Sequence, residues 1–179
     1  MSLTNLLHNF RTYIKLPWKT GLSGEQRTIF CIYDKQDELK LRYKLADFKD
    51  ATVLAKHRWL DLEISKAYSD WLERLDYLEE YFKDPDDMTE TLLADFLEHI
   101  KGAIEKEQPD ENTVFALYGV GALLGVAKVR TMIEKASPVI KGRLVVFFPG
   151  THKGNTFSLM DAYDSWGYLA TALDGEQII

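Results

Sequence analysis

The chain has 179 residues, a hydrophobic content of 46% and a formal net charge of −6, which together predict one domain with a full core. The negative charge disfavours sequence-independent binding of DNA or RNA, because such binding depends on cations that neutralise phosphates. No apolar stretch approaches the roughly 18 residues of a membrane-spanning helix, and the amino terminus does not have the pattern of a signal peptide, so we expect a cytoplasmic protein without membrane contacts.

The first half of the chain alternates between strand-like and helix-like patterns. An amphipathic helix is predicted over residues 1–16, ahead of an α/β core over residues 27–173. Residues 27–34 form a short apolar run typical of a strand buried on both faces, and the lone Cys31 in it is expected to be buried and apolar. A helix follows with its apolar stripe at Leu41, Leu45, Phe48, Thr52 and Ala55. Residues 58–65 alternate apolar and charged side chains, which predicts a strand near a sheet edge.

The second half continues the same alternation. Two amphipathic helices are predicted, one over 67–82 and one over 92–104, separated by an acidic turn at 83–90. A third strand, Thr113–Tyr118, runs through glycines into a helix from about residue 123 to 136. Residues 142–150 are predicted to form a central strand that Pro149 and Gly150 end sharply, and the tail is predicted to form two short strands.

This alternation predicts the fold class. Strands that alternate with helices favour a mainly parallel sheet covered on both faces, joined by right-handed crossovers. We therefore expect a three-layer α/β/α sandwich with a C-terminal edge hairpin, Rossmann-like but without a functional phosphate-binding loop.

The glycine-rich turn after the third strand has the location of a nucleotide site. Gly119, Gly121 and Gly125 are spaced G-x-G-x-x-x-G, and no Lys-Ser or Lys-Thr pair follows them. The favoured interpretation is structural: a tight turn at the first two glycines, and a close approach of helix to sheet at Gly125. A nucleotide- or metal-dependent enzyme or sensor that combines this turn with Asp34 and Arg130 is the alternative hypothesis.

Metal and nucleophile patterns are weak. The four histidines have no paired spacing, so the sequence indicates no metal, no cofactor and no catalytic residue. Asp34, Asp161 and Asp164 can form a magnesium cluster if they meet in space, but helix capping and turn stabilisation are the more typical roles for such aspartates.

Two further surfaces give rise to three hypotheses. Residues 152–155, with Lys141, Arg143 and Arg130, can make an anion-binding corner, although a solvated loop is favoured. A nucleic-acid-binding subunit, for which Lys141, Arg143 and Lys153 are the available cations, is a third functional hypothesis. The acidic stretch 79–90 and neighbouring aromatic side chains can form a partner-binding face, although a core stripe beside a solvated acidic face is favoured. Those side chains are Tyr68, Trp71, Tyr77, Tyr81 and Phe82.

Taken in order, residues 29–48, 59–73 and 118–170 resemble the BrxB family of bacterial BREX (bacteriophage exclusion) phage-defence systems, a domain of unknown function. The most specific segment is "GRLVVFFPG" at 142–150 followed by Gly154, Asn155, Leu159, Asp161 and Tyr168. A possible functional loop thus comprises Gly150, Gly154, Asn155 and Asp161.

The resemblance implies a protein-interaction component of a BREX complex. Family members act beside an ATPase, a DNA methyltransferase and PglZ, an alkaline-phosphatase-like protein. Other BREX proteins are therefore the expected partners, with PglZ the first to test. The family supplies no catalytic residues to transfer to this chain.

Overall fold

The computed structural model describes residues 2–76, 78–83, 85–160 and 165–176, with side chains for all of these except 81, 82, 85–89 and 165. The helices are α1 Leu3–Ile14, α2 Glu38–Leu54, α3 Ile64–Leu72, α4 Leu78–Lys83, α5 Pro85–Lys106 and α6 Val129–Ala136. The strands are β1 Thr28–Tyr33, β2 Arg58–Glu63, β3 Thr113–Tyr118, β4 Arg143–Lys153, β5 Thr156–Leu159, β6 Ser165–Gly167 and β7 Thr171–Leu173. Within the described ranges, none of the helices has the length and apolar character that crossing a bilayer requires.

The main sheet is parallel and has the strand order β2-β3-β4-β1-β7. This arrangement confirms the predicted α/β class, the central position of β4 and the edge position of β2. The antiparallel strands β5 and β6 form the predicted C-terminal hairpin, which pairs with the last part of β4.

Helices cover both faces of the sheet because neighbouring strand residues point in opposite directions. In β1, Ile29, Cys31 and Tyr33 pack with α1 and α2, whereas Phe30 and Ile32 pack with α3, α5 and α6. Every residue of β1 is buried, as the continuous apolar run predicted. Burial raises the pKa of the Cys31 thiol, which confirms its role as a small apolar side chain.

Strand β4 continues beyond the two residues that were expected to end it. Pro149 is still in register with Tyr33 of β1, and from Gly150 onward the strand pairs with β5 instead. The expectation was wrong because Pro149 keeps a carbonyl acceptor, which receives the N–H of Met160 at 2.7 Å. Gly150 allows the hairpin to approach, since a Cβ there would lie 2.2 Å from the Ser158 carbonyl oxygen.

The variant Gly150→Ala is expected to lower the free energy of unfolding by about 1–3 kcal/mol, because the added methyl group overlaps backbone that the β4–β5 pairing holds in place. Urea denaturation measures this loss. Gly102→Ala in α5 is the matched control, because its Cβ would meet no atom within 4 Å. The control should be neutral or stabilising by up to about 1 kcal/mol. Equal stabilities for the two variants would contradict the proposed steric role of Gly150.

Two predicted helices differ from those observed. The helix expected from about residue 123 begins only at Val129, because Leu124 is extended and Gly125 has a φ of +76°. A Cβ at Gly125 would meet no atom within 4 Å, so the expected close approach at this glycine was also wrong. The helix expected over 67–82 is divided into α3 and α4.

The remaining boundary differences are smaller. Helix α5 begins at Pro85, inside the segment predicted as a turn, since a proline in the first turn of a helix needs no hydrogen-bonded N–H. The tail contains three described strands instead of two, and the last of them, β7, pairs parallel with β1 at the sheet edge.

Candidate functional site

Charged and aromatic side chains meet at the carboxyl ends of β1, β2 and β3. Ligands of doubly wound α/β proteins bind at this edge of the sheet, so it is the first place where a functional site is expected. Helix α2 contributes the central side chain, Arg42. The group, named here the carboxyl-edge cluster, comprises Tyr33, Glu38, Arg42, Glu63, Ser65 and Tyr118.

Arg42 connects α2 with two strands. Its Nε lies 3.1 Å from Glu38 Oε1 one helical turn away, and its Nη1 donates to Glu63 Oε1 at the end of β2. Its Nη2 lies 3.1 Å from Ser65 Oγ, and its Cζ lies 5.7 Å from the ring centroid of Tyr118 on β3. A single guanidinium therefore holds together segments that are distant in sequence.

Both carboxylates of the cluster accept hydrogen bonds from within it. Burial acts to raise the pKa of Glu63, but hydrogen bonds from Arg42 and Ser65 outweigh burial and hold the pKa below its ordinary value. Burial and the hydrogen bond to Glu38 raise the pKa of Tyr33, and burial followed by the charge of Glu63 raises that of Tyr118. Glu63 is therefore an ionised acceptor and the two phenols are protonated donors, an arrangement that clamps the strand ends.

The variant Glu63→Gln is expected to be less stable than the wild type by about 1 kcal/mol at pH 7, a small value because the paired groups are partly solvated. The folded-state pKa of Glu63 lies below the unfolded value of about 4.3, so its contribution is present above that pH and disappears as the pH falls through the folded value. The difference between variant and wild type should therefore shrink on acidification. Denaturant unfolding at pH 7 and at about pH 3 measures it.

Glu134→Gln is the control for this prediction. Glu134 pairs with Arg130 at 2.7 Å on the surface of α6, where roughly half of each side chain is solvent-exposed. Its removal should change the stability by no more than about 0.5 kcal/mol. A Glu63→Gln variant as stable as the wild type at pH 7 would contradict a clamping role for the cluster.

The Gly119 turn lies against this cluster. Gly119 has a φ of +70°, and a Cβ there would lie 2.7 Å from Ser65 Oγ and 3.3 Å from Arg42 Nη2. The predicted tight turn is thus confirmed at Gly119, whereas a Cβ at Gly121 would make only ordinary contacts at 3.5 Å. The turn opens a short 3₁₀ segment, Val120–Leu123, and the cation beside it, Arg42, is already paired with two carboxylates.

Asp34 and Arg130 do not come together with this turn. The Asp34 carboxylate accepts the N–H of Gln36 at 2.9 Å and caps the short turn after β1, which confirms its capping role. The space beside Asp34 is lined by the start of α1 and leaves no room for a water molecule. Arg130 pairs with Glu134 on α6 instead.

The predicted anion-binding corner is not assembled. His152 Nε2 lies 2.9 Å from Asp174 Oδ2, so this side chain already contacts a carboxylate. Lys141 and Arg143 lie at the start of β4 and His152 near its end, because β4 runs as one continuous strand between them. The corner required residues 152–155 to meet Lys141 and Arg143 in space, and the extended strand keeps them apart.

The proposed functional loop is shaped mainly by backbone contacts. Gly154 has a φ of +58° in the turn between β4 and β5, and the carbonyl of Asn155 accepts the N–H of Tyr168 at 2.9 Å. Asp161 and Asp164 lie outside the described residues. Among the residues that are described, no group of three His, Cys, Asp or Glu side chains is arranged to hold a metal ion.

The predicted aromatic surface is part of the core where it is described. Trp71 is buried and Tyr68 half-buried, and both rings contact Phe96 at centroid distances of 5.2 Å. The core stripe, which was the favoured interpretation, is therefore confirmed for these two residues. Tyr77 and the side chains of residues 81 and 82 lie outside the described part of the chain.

Sequence reasoning missed Arg42 and its partners, although two signals were available. Tyr118 ends a predicted strand and Glu63 lies two residues before the end of another, and the carboxyl ends of parallel strands meet at one edge of a sheet. Glu38 and Arg42 have the spacing of an ion pair on one helix face. The combination becomes visible only when β2 and β3 are known to be neighbours.

The fold and this edge define an α/β protein with a mostly parallel sheet whose carboxyl edge carries an ion-paired cluster in place of a phosphate-binding lysine. The family model described as BREX protein BrxB matches residues 60–172, well over half of the chain. The chain belongs to the BrxB family, as its resemblance implied, and is a component of a BREX phage-defence system. No curated protein and no solved structure matches it significantly. Family membership implies that other BREX proteins are its partners.

Proposed function

We propose that this chain is a non-catalytic protein-interaction component of its BREX complex and binds its partner through the outer face of α2. One observation carries the proposal: large apolar side chains on this helix point into solvent. Leu39 is 72% exposed, Tyr43 87% and Leu54 76%. Contiguous exposed apolar surface of this kind marks protein interaction sites.

These side chains form one stripe. At 3.6 residues per turn, the stripe occupies about 100° of the helix circumference. The opposite side of α2 is buried through Leu41, Phe48 and Thr52, so the helix is apolar on two sides although only one side faces the core. We name the exposed stripe the α2 outer face; it comprises Leu39, Tyr43, Ala46, Asp50, Val53 and Leu54.

The edges of the α2 outer face are charged. Lys40 and Lys49 lie beside it and are exposed, and Lys40 pairs with Asp37 at 2.6 Å. Exposed leucines and a prominent tyrosine, with Asp50 among them and lysines at the border, match the mixed composition of a protein interface. The carboxyl-edge cluster supports a non-catalytic role, because its charged groups are paired with one another. The same pairs hold the start of α2, the helix that carries the outer face.

PglZ is the partner that we propose first, because the family acts beside it in BREX systems. The test is co-expression of the tagged chain with each of the other BREX proteins, followed by affinity purification and size-exclusion chromatography. A stable complex with PglZ, in which hydrogen exchange of α2 is slowed, is the expected result. Elution of the chain alone when every BREX protein is present would disprove the interaction function.

A further inference from the structure

A cavity of about 380 Å³ lies at the amino edge of the sheet, opposite the carboxyl-edge cluster. It is open to solvent on one side and is lined by the segment between α1 and β1 and by residues at the starts of β1, β3 and β4. A second cavity of about 350 Å³ shares part of this wall. These volumes are those of small-molecule sites. The charged and aromatic residues that line the first cavity are Trp18, Lys19, Arg27, Glu111, Lys141 and Arg143.

The cavity is strongly basic in an acidic protein. Four cationic side chains and one carboxylate line it, a surplus of three positive charges, whereas the whole chain carries −6. Among the described residues, none of the four cations makes an ion pair within 4.0 Å, in contrast to Arg42 and Arg130. Among the described residues that line the cavity, Glu111 is the single carboxylate, so three of the four positive charges have no counter-charge on this wall.

Arg143 is held in position although it lacks a counter-charge. It is 7% exposed, its Nη2 donates to the Lys19 carbonyl at 3.1 Å, and its Cζ lies 4.7 Å from the Trp18 ring centroid. Trp18 in turn stacks on His57 at 3.8 Å. Burial lowers the pKa of Arg143, and the nearby charge of Arg27 lowers it further. A buried guanidinium without an anion is energetically costly, and a bound anion would remove that cost.

Arg27 lines the cavity and is anchored by a hydrogen bond to the backbone. Its Nη1 donates to the carbonyl of Ile140, whereas its Nε is buried and has no acceptor. This Nε is closed off from solvent and is not the atom that would meet a ligand. Because Arg27 lines the cavity, its guanidinium contributes a positive charge to the wall.

We propose that this cavity binds a phosphate group, as free inorganic phosphate or as the monoester of a small molecule, through Arg27, Lys141 and Arg143. A phosphate carries nearly two negative charges and several acceptor oxygens, and so matches three surplus cations better than a single carboxylate. A small ligand is favoured over a nucleic-acid backbone, because the site is concave and the rest of the chain is acidic.

Calorimetric titration of the full chain at low salt tests this proposal with three probes: inorganic phosphate, adenosine monophosphate and an oligonucleotide without terminal phosphates. Phosphate or the monoester should bind, and Lys141→Gln and Arg27→Gln should each weaken that binding at least about tenfold. Lys141 is exposed, so its variant is expected to fold normally. Lys153→Gln, at the other end of β4, is the matched control and should bind like the wild type.

The probes also identify the source of the phosphate. Tighter binding of adenosine monophosphate than of inorganic phosphate supports a monoester ligand, and equal binding supports recognition of the phosphate group alone. Three results would overturn the proposal: no binding of either probe in the millimolar range, binding unchanged in both Lys141→Gln and Arg27→Gln, or binding of the oligonucleotide only.

Discussion

The double variant Leu39→Glu, Tyr43→Glu is expected to bind the BREX partner at least about 100-fold more weakly than the wild type. Each central apolar side chain of an interface contributes about 2 kcal/mol, and 100-fold corresponds to about 2.7 kcal/mol. The introduced carboxylates also have to be desolvated on binding. Isothermal titration or surface binding with the purified partner measures the loss.

The folded state should be unaffected by this double variant, because both side chains are exposed in the free chain. A melting temperature close to that of the wild type establishes this point. Leu124→Glu, Leu169→Glu is the matched control: these leucines are 47% and 59% exposed and lie outside α2. If both double variants bind equally well, the α2 outer face is not the docking surface.

The variant Phe30→Ala is expected to cost about 3–5 kcal/mol of folding free energy, the largest loss of stability that we predict. Phe30 is fully buried on the face of β1 that packs against the hairpin. Its ring contacts Phe148 at 5.4 Å, Phe157 at 4.4 Å and Trp166 at 5.7 Å between centroids. The truncation therefore leaves a cavity at the junction of sheet and hairpin, and each aromatic contact is lost. Urea unfolding measures the change.

Tyr43→Ala is the control for Phe30→Ala, since it removes an aromatic ring that is 87% exposed. It should change the stability by no more than about 0.5 kcal/mol. A loss below about 1 kcal/mol for Phe30→Ala would show that the hairpin does not depend on this ring.

Local patterns predicted most of the fold. The apolar runs of β1, β3 and β4 and the period of α2 are properties of neighbouring residues, so they could be recognised in the sequence. The failures lie where a distant contact overrides a local preference. One exception is local: Leu124, Val126 and Ala127 are apolar and suited to a helix, yet Gly125 adopts a positive φ and the helix begins later. Pro149 has the character of a strand end, yet β5 supplies the next pairing.

The α/β class, the family, the tight turn at Gly119 and the cap at Asp34 were predictable without a structure, because local patterns of residues carry them. The contact of Arg42 with Glu63 and Tyr118 was not, because it requires β2 and β3 to be neighbours. The exposure of Leu39 and Tyr43, and the unpaired cations around Arg143, likewise follow from which surfaces the other elements cover. Burial is a property of the whole fold, and a local pattern cannot specify it.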